Sequence, residues 1–369
     1  PMAESVPTTP IEAPLPAPAR AQAVRALRIL GRAGLLVAAL FCFMLALELL
    51  KTGAGGMAAV LRGFDGHGLL NALGFGWLLA YLVMSGSPVA AASLGLFSGG
   101  SLSLFESLGM LNGSRFGASF VVLFTGFLYY LRGIRGRGVV SVGVLAMVTT
   151  ATIYVPALAL AALGLSRGWL LAIQPRPPAL LSSGLASIYQ PVAAFAAAHL
   201  PGVGSFAVGF VLLLACFRLF DAVLPSVDSA ALEGRWAKFL RSPGKMFLLG
   251  LLVTSITLSV SSSLSILVPL AGRGYIRREQ TIPYIMGANI STFLDTLVAA
   301  LLLRTPLAVT IVVTEVAAVA LVSAAVLLLG YRWYQRGLLA VNAWVTGAKP
   351  RFAVFVAILA VVPAVLLLL

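Results

Sequence analysis

Read for its hydrophobic and polar positions, the chain is a series of long apolar runs broken at a few places. The runs at 33–50, 139–165 and 307–330 are continuous and of the length a membrane-crossing helix needs, about 20 residues. Leu69–Val83 and 89–97 are each too short to cross. The corner Ser85-Gly-Ser-Pro88 between them and Ser98-Gly-Gly-Ser101 after them make the pair read as a re-entrant hairpin. Leu104–Leu131 is apolar at both ends and interrupted by small and polar residues at 112–119, before a basic loop with Arg132, Arg135 and Arg137. Residues 166–205, with Pro175, Pro177, Pro178, Pro191 and Pro201, read as the longest connection and the boundary between two halves.

The second half repeats the pattern. A span at 207–224 precedes a run of hydroxyls from Thr254 to Ser265, a corner with Pro269, Gly272 and Gly274, and the apolar segment 282–303, which carries Gly287-Ala-Asn-Ile-Ser-Thr292 and Asp295. Polar residues inside a span are expensive unless they line a cavity or find partners, so this stretch reads as a site. Residues 331–350, with Trp333, Tyr334, Trp344 and flanking cations, read as an interfacial amphipathic segment, and 352–369 as a final span.

Composition narrows the class. With 60% hydrophobic and 10% charged residues in 369, the chain is too apolar for a soluble domain, and its continuous rather than alternating runs exclude a barrel. The net charge of +14 does not point to nucleic acid, because the cations sit between apolar runs instead of on one solvated face. They read as topology determinants. Cys42 and Cys216 lie deep in apolar runs and read as packing residues, with neither a disulfide framework nor a metal cluster. The Pro/Ala-rich first twenty residues show no cleavable leader, and 1–32 is expected to be a disordered basic tail. No Ser/His/Asp set, ligand-spaced His/Cys cluster or nucleotide-binding loop supports an enzyme.

Shifting the chain by 174 lays 33–50 on 207–224 with seven identities, including Cys42 on Cys216 and Phe43 on Phe217. Without a gap, the same shift lays Ser85 and Ser87 on Ser259 and Ser261, Gly100 on Gly274, and Gly113-Ser-Arg-Phe-Gly-Ala118 on Gly287-Ala-Asn-Ile-Ser-Thr292. With a cytoplasmic N-terminus and an odd number of crossings per half, the two repeats are inverted. That drawing puts 18 lysines and arginines inside and 5 outside, the bias the positive-inside rule demands. The expected organisation is a tail (1–32), repeat 1 (33–165), an external connection (166–205), repeat 2 (206–339), and an interfacial segment with a last span (340–369): an all-α polytopic protein of two inverted repeats, each with a re-entrant hairpin and a broken helix.

These motifs resemble those of the type II sodium/phosphate cotransporters, which carry in each inverted repeat a Gln-Ser-Ser-Ser stretch in a hairpin and a Gly-Ala-Asn-Ile-Gly-Thr-like stretch in the next helix. Gly287-Ala-Asn-Ile-Ser-Thr292 nearly reproduces the second motif, and Pro269 and Gly274 fall where the family has Pro and Gly. The second serine stretch has two possible registers, Ser259-Val-Ser261 by the repeat and Ser261-Ser-Ser263 by literal match. In the first repeat Met84-Ser-Gly-Ser87 stands for the serine stretch and Arg115 for the asparagine, and both glutamines are missing, as in a bacterial member with a degenerate first repeat. The resemblance covers 33 to about 330. It implies sodium-coupled transport of inorganic phosphate across the cytoplasmic membrane by alternating access, with sodium as coupling ion and no other cofactor. The departures leave open a related carrier that exports phosphate or moves another oxyanion or phosphorylated headgroup, and a transport-inactive homologue. A homodimer is compatible with this reading.

The expected substrate ligands are Ser85, Gly86, Ser87, Ser114, Arg115, Ser259, Ser261, Ser262, Ser263 and Asn289; the expected sodium ligands are Ser261, Ser262, Asn289, Ser291, Thr292 and Asp295. Hydroxyls and free amides at helix breaks suit an anion, and their oxygens can replace the water shell of sodium. Close packing of small residues is the competing reading for the serines and glycines. By the offset, Arg115 stands opposite Asn289, where it could bind phosphate oxygens in a fork or take a sodium ion's place; snorkelling to an interface is the alternative. Asp295 pairs with Arg115 or ligates a cation. Glu315 is either a proton or cation site or a polar bridge to a neighbouring helix. Arg218 and Asp221 read as a local pair, and His199 and Glu48 carry no catalysis. The drawing has a direct test: in a background without Cys42 and Cys216, cysteines at Arg135 and Arg241 are labelled only from the cytoplasm and one at Gln174 only from outside. Labelling of Arg135 and Gln174 from one side overturns it.

Overall fold

A computed structural model describes residues 17–62, 68–131, 137–171, 186–223, 242–260, 263–264, 267 and 276–369. The loops with Arg132 and Arg135, Gln174, Arg241, and the hairpin residues Ser261, Ser262, Ser265, Pro269, Gly272 and Gly274, lie outside them. Among the described residues the only regular structure is helical.

The helices are α1 (Ala17–Arg62), α2 (Leu69–Val83), α3 (Ser87–Ser98), α4 (Leu104–Leu131), α5 (Arg137–Ser166), α6 (Ala186–His199), α7 (Gly202–Val223), α8 (Pro243–Thr257), α9 (Arg278–Ser291), α10 (Phe293–Leu302), α11 (Pro306–Ala325), α12 (Tyr331–Thr346) and α13 (Lys349–Leu367). Seven helical stretches are long and apolar enough to cross a membrane, while α2, α3 and α8 are apolar but short. The chain is an all-α, multi-pass membrane protein.

Four expectations are corrected. Residues 17–32 belong to α1: Ala, Arg and Leu there favour helix, and nothing breaks it. Helix α4 runs unbroken through 112–119, because its glycines take up close packing and its polar side chains find partners without opening the backbone. The 166–205 connection contains α6, and α7 already begins at Gly202. The segment after 330 is continuous with α11 through one π-helical turn, Val326–Gly330, so the boundary drawn at 340 falls inside α12. Trp333 and Trp344 there lie under the guanidinium groups of Arg336 and Arg351, at 4.4 and 5.4 Å, as membrane-interface anchors do.

Packing follows the 174-residue offset in detail. Helices α2 and α8 have bounds that differ by 174 at both ends, and α4 and α9 start 174 apart. The corresponding helices pair in the same way, α2 on α4 and α8 on α9. The closest approach recurs: a Cβ on Gly113 would lie 2.1 Å from the Leu73 carbonyl oxygen, and one on Gly287 2.0 Å from that of Phe247. Likewise Gly76 and Gly250 meet the carbonyls of Met110 and Tyr284. All of these positions correspond under the same shift. Helices α1 and α7 pack on each other, with Phe43 edge-on to Phe217 at 5.6 Å, and α13 closes over α2, where Tyr81 Oη donates to the Leu359 carbonyl.

In an open helical site Gly→Ala gains about 1 kcal/mol. At Gly113 and Gly287 the new methyl would overlap backbone, and overpacking of this kind costs about 1–3 kcal/mol. Gly113→Ala and Gly287→Ala should each lower the melting temperature of the detergent-solubilised protein, whereas Gly55→Ala, which meets nothing within 4 Å, should not. Equal melting of all three would show that the helix pairs are not held by backbone contact.

Candidate functional site

Two turns, again 174 residues apart, bring polar groups to the centre. Helix α2 ends on Met84 in the left-handed conformation (φ 56°), and α8 ends on Leu258 in the same conformation (φ 49°). That conformation costs a side-chain-bearing residue roughly 1–2 kcal/mol, and such strain clusters at sites. In the first turn the Met84 and Ser85 amides donate to Tyr81 and Ala80, a Schellman-type stop, and Pro88 opens α3. Ser85 and Ser87 are half-buried, and Gly86 lies against the Ser114 carbonyl, 2.6 Å from where a Cβ would stand. In the second turn Ser259 is half-buried and its carbonyl accepts from the Ser263 amide.

Three predicted hydroxyls are occupied within the scaffold. Ser263 is fully buried, accepting from Thr254 at 2.7 Å and sharing a proton with Tyr284 Oη at 2.8 Å, so it ties α8 to α9. Ser114 donates to the Leu111 carbonyl, and Ser291 to those of Gly287 and Ala288.

The interruption expected in the second repeat is slight: between α9 and α10 only Thr292 departs from regular helix, and it keeps right-handed helical angles (φ −61°, ψ −15°) with its amide donating to the Ala288 carbonyl. Arg115, 2% exposed in the middle of α4, reaches it. Its Nη1 donates to Thr292 Oγ1 at 3.1 Å, its Nη2 to Thr296 Oγ1 at 2.6 Å, and its guanidinium lies over the Phe293 ring at 4.4 Å. Arg115 therefore does not stand against Asn289, whose amide donates to Thr150 Oγ1 at 3.1 Å and whose carbonyl accepts from Tyr154 Oη at 2.8 Å. Asp295, 6% exposed, makes no direct ion pair with Arg115. Thr296 links them, accepting from the guanidinium and donating to Asp295 Oδ1 at 2.9 Å.

Glu315, fully buried on α11, accepts from the Asn112 amide of α4 and also feels the Arg115 charge. Four buried polar atoms around this centre lack a hydrogen-bond partner: Arg115 Nε, Asp295 Oδ2, Glu315 Oε2 and Asn112 Oδ1. Ser87 stands beside the Asp295 carboxyl without completing a well-formed hydrogen bond. Asp295, Thr257 and Leu258 line one cavity, so the ends of both short helices converge on that carboxylate. Arg218 and Asp221 form no ion pair among the described residues; Asp221 lines the same cavity instead. Among the described residues no group of three His, Cys, Asp or Glu is placed to hold a metal ion. The motif reading missed Thr296, Phe293, Thr150 and Tyr154. Thr296 was findable, one helical turn past Thr292; the α5 residues carry no signal in sequence.

The Na+/Pi-cotransporter family model matches residues 212–342, so this stretch is similar to that family. The matched stretch runs from α7 through most of α12, with Thr292, Asp295 and Glu315 inside it and Arg115 outside. Neither a curated protein nor a solved structure matches the chain.

Removing one partner of a buried charged network costs about 3–5 kcal/mol, because the other charge stays buried. Arg115→Met should destabilise by that order in denaturant unfolding of the solubilised protein, and Asp295→Asn added to it should restore part of the loss. Strict additivity of the two would show that they are not coupled through Thr296.

Proposed function

We propose that the protein is a sodium-coupled carrier of inorganic phosphate in the cytoplasmic membrane, with its N-terminus inside and two inverted repeats that rock about Thr292. The observation that carries this reading is the coincidence of the family match with the irregularity at Thr292 and the turn at Leu258. Ser85, Gly86, Ser87 and Ser259, at the two turns, form the anion-binding face together with Ser261 and Ser262. Ser114, Ser263 and Asn289 position that face. Thr292 and Asp295 contribute to sodium binding, and Ser291 supports them from its own helix.

Arg115 supplies a fixed positive field and not a free fork, since both of its Nη groups donate to threonines. Its position outside the matched stretch favours a second reading, a carrier of another oxyanion with a reduced sodium requirement.

Labelled phosphate should enter proteoliposomes saturably under an inward sodium gradient and not under potassium or choline. Arg115→Asn should raise the half-saturating phosphate concentration and make the remaining uptake more sodium-dependent, with Arg115→Lys recovering it only in part. Uptake that proceeds equally in choline overturns sodium coupling; no phosphate uptake, with uptake of sulfate or a phosphorylated headgroup, selects the second reading.

A further inference from the structure

The cavity beside the Leu258 turn holds an acidic side chain, Asp221, that the site described so far does not use. It encloses about 60 Å³ between α1, α7, α10 and the end of α8. One probe sphere of about 10–15 Å³ is what a single water needs, so the space admits a small ion with part of its water shell. Its walls are mainly apolar. The polar groups on it are Asp221 of α7, Asp295 of α10 and Thr257 of α8.

Asp295 lines this space, and its Oδ2 is buried without a hydrogen-bond partner. Asp221 faces it across the cavity, close enough for the two carboxylates to repel each other. The guanidinium that reaches Asp295 is already engaged: Arg115 is bound by Thr292 and Thr296, while Arg218, one turn before Asp221 on α7, forms no ion pair with it among the described residues. Two carboxyl groups on a mainly apolar wall make this cavity a poorer place for an anion than for a cation. A cation would relieve the repulsion and satisfy the orphaned oxygen.

The rest of the wall agrees. Phe43, Phe217 and Phe220 form a three-ring cluster with centroids 5.6, 5.9 and 6.1 Å apart, each pair edge to face. Such rings offer π faces to a cation and keep the site poor in water. Thr257 donates its hydroxyl to the Ser259 carbonyl, which leaves its oxygen lone pairs free to ligate.

We infer that Asp221 and Asp295, with Thr257, form a sodium site in the aromatic-walled cavity between α1, α7 and α10, separate from the hydroxyl-rich turns that take the anion. The inference deepens the sodium coupling proposed above by giving it carboxylate ligands on two helices. Because α7 and α10 are different elements, sodium bound between them would hold the α7 side of the bundle to α10.

The full-length protein in detergent, without phosphate, is titrated with sodium chloride against choline chloride at matched ionic strength, reading thermal stability and tryptophan fluorescence. Sodium should stabilise saturably. Asp221→Asn should raise the half-saturating sodium concentration by about tenfold or more, and Asp221→Glu by much less. Asp221 is exposed at its outer edge, so its substitution leaves folding intact, which a monodisperse elution profile checks. Unchanged sodium affinity in Asp221→Asn overturns the inference, as does stabilisation by acid pH with no effect of sodium. If Asp221→Asn keeps wild-type sodium affinity while phosphate uptake is sodium-dependent, this site fails and the proposed function stands. If Asp221→Asn weakens sodium binding and no phosphate uptake is found, the site stands and the phosphate reading fails.

Discussion

An ionised guanidinium in the apolar interior of a membrane bundle costs several kcal/mol, and arginine cannot escape that cost by losing its proton. Arg115 is such a group, and the surrounding helices are arranged to compensate it. The threonines at the α9–α10 junction take its Nη donors, Phe293 takes the face of its plane, and Asp295 and Glu315 supply countercharge through Thr296 and across the α4–α11 contact. Because the compensation comes sideways from other helices, α4 has no reason to open its backbone. Helix α4 stays regular while it carries the charge, and the one local irregularity, at Thr292, lies in the span that solvates it.

This division also explains which hydroxyls remain for chemistry. A serine inside a helix bonds its own preceding carbonyls when nothing else competes, as Ser114 and Ser291 do, or is recruited as a strut, as Ser263 is between Thr254 and Tyr284. Serines at the turns after Met84 and Leu258 stay half-buried. Left-handed backbone at a residue with a side chain is therefore the best structural marker of where the chain presents polar groups.

Much of this was legible in the amino-acid pattern. Run length and composition sufficed for the helical membrane class, and the bounds of Leu69–Val83 and Leu104–Leu131 were read to the residue because Gly, Ser and Pro punctuate them. The pattern misled where polarity was taken for irregularity: Asn112, Ser114 and Arg115 sit in regular helix because partners on other helices satisfy them. The offset placed Arg115 opposite Asn289 but could not give side-chain direction, which sends the guanidinium one turn onward to Thr292 and Thr296. Partners such as Thr150 and Tyr154 follow from how α5 packs, and helix packing is written in no local motif.

The offset also shows how the site came to be asymmetric. The close-packed glycines and the strained turns are matched between the halves, so the backbone geometry has been kept. The charges have not. The positions 174 residues before Asp221, Asp295 and Glu315 are Leu47, Val121 and Ser141, and the position 174 after Arg115 is Asn289. One half supplies the cation and the other supplies every carboxylate of the cluster. A symmetric distribution would have placed like charges against each other at the crossing of the halves, at a cost no low-dielectric interior sustains. Divergence of charge under a conserved backbone is what lets this centre hold both a fixed cation and an excess of acid, and so present positive field on the α4 side and ligands for a cation on the α7–α10 side.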